Sequence, residues 1–115
     1  MSPTMRRLLP NTVLAIALAI GAPAVHAADL AAGKAKADAV CAACHGKDGN
    51  TPIDPSYPKI AGQYRDFLVR TLLDYQSGAR KNAIMASQAQ PLTRAEINDL
   101  AAYYASLPGS LRTRR

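Results

Sequence analysis

Three stretches of the chain repeat apolar residues at helical spacing, and none alternates in the manner of a strand. The first runs from about Leu30 to Ala43, with Asp29 placed to cap it. Leu30, Gly33, Ala37 and Val40 share one face, and Cys41 and Cys44 continue it towards a stop near Gly46. The second runs from about Gln63 to Ser77. Tyr64, Phe67 or Leu68, Thr71 or Leu72, and Tyr75 recur on one side of it, and Gly78 ends it. The third has the clearest borders. Thr93-Arg94-Ala95-Glu96 reads as a capping box. Ile97, Leu100, Ala101, Tyr104 and Leu107 form its apolar stripe, and Pro108-Gly109 stops it. Two polar stretches separate these helices, and both read as loops. One, 46–62, holds Asp48-Gly49-Asn50 and Pro52, Pro55 and Pro58; the other, 78–92, holds Met85 in its middle. A structureless loop as long as the first needs something to pack around. The pattern predicts an all-α domain of three or more helices.

Length changes this picture in one respect. The chain has 115 residues, enough for one domain. Residues 1–27 read as a cleavable export signal. Arg6 and Arg7 form a basic start, Val13 to Ala22 an apolar run, and Pro23 precedes the small-residue pattern Val25-His26-Ala27. Cleavage is expected after Ala27, with Ala28 as the alternative. The run is short for a bilayer span, which disfavours an uncleaved anchor. The expected destination is the bacterial periplasm. The domain then occupies 28–109, followed by a flexible basic tail, 110–115. So small a domain is marginal on its own apolar core, and two cysteines allow at most one disulfide. A large group clamped inside would supply what is missing.

Charge excludes one class of partner. Without Arg6 and Arg7, the 14 Lys and Arg become 12 against 8 Asp and Glu, a net +4. There is no dense basic stripe and no recognition-helix motif, so nucleic acid is not expected. Mild basicity suits weak steering to acidic partners.

The chemistry lies in Cys41-Ala42-Ala43-Cys44-His45. Two thiols three positions apart at a helix end are able to add to the two vinyl groups of a haem. The next residue, His45, then falls under the iron as its proximal ligand. Three other chemistries use similar residues. A thioredoxin-like redox pair wants a sheet, which the pattern lacks. A structural zinc site wants four ligands, and two cysteines and one histidine leave it short. A plain disulfide leaves His45 unexplained. Once His26, Met1 and Met5 leave with the signal, the chain keeps one histidine and one methionine. His45 and Met85 would then be the two axial ligands. A thioether is a soft donor that favours ferrous iron. The competing role for Met85 is core filler, and its polar surroundings, Lys81 to Ser87, speak against that. With both faces of the iron taken by protein, one-electron transfer is expected rather than catalysis. A haem enzyme or gas sensor with a displaceable sixth ligand is the alternative, and a haem-free thiol–disulfide protein a third.

Four segments together resemble one haem domain of the class I c-type cytochromes, of the cytochrome c4 and c5 types, over about Leu30 to Leu107. They are Cys41 to Gly46 with Asp48-Gly49-Asn50; Tyr57 to Gln63; Ile84-Met85 ahead of Leu92-Thr93; and Asp99 to Tyr104. The resemblance implies a small class I cytochrome c fold wrapped around one haem c, covalently held by Cys41 and Cys44. It implies that Pro58 offers its carbonyl to His45. It implies that the first and last helices cross at Gly33 under Tyr103 or Tyr104, the apolar stripe favouring Tyr104. Tyr57, Tyr64, Arg65 and Arg80 are expected near the haem edge or propionates. The expected partners are a redox donor and acceptor, such as a periplasmic dehydrogenase or a terminal oxidase, with weak association to a membrane surface. The two-haem relatives carry a second Cys-x-x-Cys-His domain, so this chain is expected as a free carrier or as the cytochrome subunit of a larger redox enzyme.

Overall fold

A computed structural model describes residues 21–22 and 27–112. Apart from Gly21, Ala22 and Ala27, the expected export signal lies outside the described residues, as do 113–115 of the expected tail. Every regular element among the described residues is helical: α1 (Leu30–Lys36), a π-helical stretch (Ala37–Cys41), α2 (Ala42–His45), α3 (Arg65–Ser77), α4 (Ala83–Ala89) and α5 (Arg94–Ser106). None of these helices is long and apolar enough to cross a membrane.

The first expected helix is present, but with a π-helical stretch in its middle, and its consequence is geometric. Steps of four residues overrun an α-helical turn by about 40° each. On a regular helix Gly33, Ala37, Cys41 and His45 would therefore fan out by about 120° in all. One residue inserted into a turn takes back about 100° of that. The four positions consequently line one side: Gly33, Ala37 and His45 are buried and Cys41 half-buried. Leu30, expected on the same face, is 50% exposed.

α5 is the centre of the fold and packs on both α1 and α3. It begins as expected. Thr93 Oγ1 accepts from the Glu96 N–H, and a Glu96 carboxylate oxygen accepts from the Thr93 N–H. Its stripe of Ile97, Leu100, Ala101 and Tyr104 is buried with Ala37, Leu68 and Leu92. The α1–α5 crossing is close because Gly33 has no side chain. A Cβ there would lie 2.3 Å from the Asp99 carbonyl oxygen and 3.0 Å from the Tyr103 Cβ. Tyr103, not Tyr104, thus covers Gly33. Two polar links flank the crossing: the Asp29 N–H donates to Asp99 Oδ1 (2.8 Å), and Lys36 pairs with Glu96 (2.8 Å).

The two expected loops differ. The first, 46–62, has no helix but is stitched to the core. The Gly49 carbonyl accepts from the N–H groups of Ile60 (2.8 Å) and Ala61 (2.9 Å), and the Gly62 N–H donates to the Tyr104 carbonyl (2.9 Å). Gly49, at φ +65°, lies so close beneath the Tyr104 ring that a Cβ would come within 2.9 Å of it. The second, 78–92, is corrected by the structure: it contains α4, with Met85 in its first turn. Asn82 caps this helix, its Oδ1 accepting from the Met85 N–H (3.0 Å). At the other end the Gln76 side chain of α3 holds α4, donating to the Ala89 carbonyl.

Candidate haem site

Cys41 closes the π-helical stretch, and Cys44 and His45 lie on α2 just beyond it. Both cysteines are half-buried and they are not joined to each other by a disulfide. Burial pushes the Cys41 thiol above its ordinary value, with a Tyr104 hydroxyl contact acting in the opposite direction. Tyr104 is raised too, chiefly by burial and then by Cys41. The nearby Asp48 turn is ordered by its own carboxylate. Its Oδ1 accepts from the N–H groups of Asn50 and Thr51 and its Oδ2 from the Thr51 hydroxyl. The Ile53 N–H donates to the Cys44 carbonyl (3.1 Å), tying this loop to α2.

His45 is buried, at 6% exposure. Its Nδ1–H donates to the Pro58 carbonyl at 2.8 Å, and the Tyr57 ring meets it edge-on with centroids 6.5 Å apart. A carbonyl only accepts, so Nδ1 carries the proton and Nε2 keeps its lone pair for a metal. The Pro58 contact expected from the resemblance is thus formed.

Two adjoining cavities, of about 250 and 440 Å³, share Cys41, His45, Pro58, Tyr75 and Met85. Leu68, Leu72, Leu100, Ala101 and Tyr104 line the first, while Cys44, Tyr57 and Ile84 line the second. Met85 is half-buried. The donor set, two thiols for covalent attachment, an imidazole with its second nitrogen occupied and a thioether on a largely apolar space, fits a haem. The cofactor of this site is haem c, attached through Cys41 and Cys44.

Of the residues expected at the haem periphery, Tyr57 and Arg80 line these cavities. Arg80 is braced by Tyr75: its Nε donates to the phenol oxygen at 3.0 Å, and its guanidinium lies 5.4 Å from the ring centroid. Tyr64 and Arg65 line neither cavity. Tyr64 sits instead under the Arg112 guanidinium, 5.3 Å from its ring centroid, and Arg65 lies on the outer side of α3 beside Arg94. Both begin the helix on its solvent side, which residue type alone did not reveal. Gln63, Phe67 and Lys59 also line the first cavity; the sequence marked Phe67 as part of a helical face and Lys59 and Gln63 as part of a segment of the resemblance, but none of them as a haem neighbour.

A family model described as cytochrome c matches residues 30–108. The chain is 47% identical over 87 residues to the cytochrome c4 of Thiocapsa roseopersicina, covering 76% of this chain and 44% of that protein. It is 42% identical over 83 residues to the cytochrome c-554(548) of Halomonas halodenitrificans, covering 70% of this chain and 98% of that protein. Its fold superposes on reduced cytochrome c4 from Pseudomonas stutzeri with a TM-score of 0.66 at 40% identity, over 73% of this chain and 48% of that one. The chain spans about half the length of the cytochromes c4 it matches. With the family model spanning nearly the whole described domain and relatives 42% and 47% identical, the chain belongs to the cytochrome c family, as a class I haem domain related to the cytochromes c4.

Proposed function

We propose that this chain carries single electrons between redox proteins of the periplasm, with His45 and Met85 as the two axial ligands of its haem. The observation that carries this reading is that His45 and Met85 line the same two cavities as the attachment residue Cys41. A haem with both axial positions filled supplies reversible uptake of one electron. The chain's own residues set the conditions for it. Pro58 holds the His45 ring in one orientation and makes it a stronger donor. Met85 offers a thioether that favours the reduced state. Leu68, Leu72, Leu100 and Tyr104 keep water from the inner side of the crevice. With a protein ligand on each side, no position is left for a substrate, which separates a carrier from a haem enzyme or sensor. The periplasmic setting is supported by the export pattern of residues 1–27 and by attachment chemistry that needs thiols outside the cytosol. The donor and acceptor are redox proteins with acidic docking faces, drawn by the net +4 of residues 28–115.

The test is the visible spectrum of the purified holoprotein, oxidised and then reduced. The expected result is low-spin haem in both states, with the weak red-edge sulfur-to-iron band when oxidised. Met85→Ala should lose that band and turn high-spin, or take up an outside ligand. High-spin haem in the wild type at neutral pH would overturn the reading.

A further inference from the structure

The Met85 helix is short, and it is held by an unusual pair of side chains. α4 has seven residues, so its C-terminal carbonyls have no partners within the helix. Gln76, near the C-terminus of α3, reaches the last of them and one carbonyl beyond the helix. Its Nε2 donates to the Ala89 carbonyl at 2.7 Å and to the Leu92 carbonyl at 2.8 Å. Gln90, which caps α4, returns the contact: its Nε2 donates to the Gln76 carbonyl at 2.7 Å. One amide therefore uses both hydrogens to join the end of α4 to the segment before α5, and a second amide locks it back to α3. The Ala89 carbonyl also accepts from the Leu92 N–H (3.1 Å), so Gln76 is its second donor; Ala89 and Leu92 are buried, and water is a poor substitute for the Gln76 amide there.

We infer that Gln76 is a positioning residue for the sixth ligand. It anchors α4 on α3 and so keeps Met85 in the crevice and outside ligands away from the iron. This rests on the reading of Met85 as an axial ligand. An outside ligand binds the iron only when α4 lifts, so its apparent affinity follows the fraction of molecules in which α4 has moved. Removing the two donated bonds raises that fraction.

The experiment titrates the oxidised holoprotein with imidazole and follows loss of the sulfur-to-iron band. Wild type is compared with Gln76→Leu, Gln76→Glu and Gln90→Ala. Gln76→Leu is expected to tighten imidazole binding by about tenfold, the factor that corresponds to about 1.4 kcal/mol. Gln76→Glu separates anchoring from space filling. It has the size of glutamine but presents acceptors to two carbonyls, so it should bind imidazole at least as tightly as Gln76→Leu. Wild-type affinity in both variants would sink the inference, as would a Gln76→Glu that behaves like wild type beside a changed Gln76→Leu. If neither Gln76 variant retains haem, Gln90→Ala decides. That residue is exposed, and a rise of about threefold is expected from the loss of one hydrogen bond; no rise overturns the proposal. A wild type without the band would instead remove Met85 from the iron, a failure visible before any variant is made.

Discussion

At Gly33 the addition of one methyl group tests how the two outer helices meet. The Cβ of Gly33→Ala would press on the Asp99 backbone at 2.3 Å, and backbone yields less readily than a side-chain tip. Overpacking of this kind costs about 1–3 kcal/mol. The expected outcome is a clearly lower thermal midpoint with an unchanged low-spin spectrum, because Gly33 lies about three helical turns away from His45 along the first helix rather than in the crevice. A variant as stable as wild type would mean that α1 and α5 separate freely. Which tyrosine sits on Gly33 was less legible. The apolar stripe pointed to Tyr104, since it falls in step with Ile97, Leu100 and Ala101. Tyr104 is indeed buried, at 4% exposure, but against Gly49 and Cys41 rather than α1. Neighbouring residues on a helix diverge by about 100°, so Tyr103 takes the crossing and Tyr104 the crevice. Periodicity reports that a side chain is buried, and the crevice counts as burial as much as a helix does.

Among the elements, the 46–62 loop shows how a segment without periodicity becomes ordered. Asp48 gathers its turn, and its carboxyl is held below the ordinary value, first by the Asn50 N–H and then by Thr51. A carboxyl lowered on folding contributes stability that is complete above its unfolded value and is lost as pH falls through the folded one. The loop bearing Tyr57 and Pro58 should therefore loosen in acid. Asp48→Asn keeps an oxygen for the two backbone donors but no titration, so its thermal midpoint should fall less than that of wild type between neutral pH and about pH 3. Parallel curves for the two proteins would show that this turn does not titrate with folding. The loop, the first helical stretch, α3 and α5 were legible because proline, capping box and stripe each left a local mark. α4 left none. Its seven residues are too few to show a stripe, Ile84 is 53% exposed, and a helix of this length is marginal alone. It forms because Asn82 caps one end and Gln76 holds the other, and the second partner is distant in sequence. The π-helical stretch did leave a trace, the even four-residue spacing of Gly33, Ala37, Cys41 and His45, but only their common burial gives that spacing its meaning.

For the molecule as a whole, haem belongs to the core as much as to the function. Among the described residues the largest fully buried side chains are Ile97 and Leu100. Much of the remaining core is alanine: Ala37, Ala61, Ala89 and Ala101. α2, α3, α4 and α5 are thus arranged around a space that their own side chains do not fill. In a haem-free chain the largely apolar side chains that line the inner cavity of about 250 Å³ lack packing partners on that side. A small domain has a total stability of about 5–15 kcal/mol, and so short a chain lies towards the lower end of that range. Attachment and folding should therefore be one event. Wild-type chain produced without haem attachment should show mainly coil by circular dichroism and melt without a cooperative transition, whereas the holoprotein should be helical and melt sharply. A haem-free chain with the helix content and cooperative melting of the holoprotein would show that α5 and its partners close on their own, and would confine haem to the electron-carrying role.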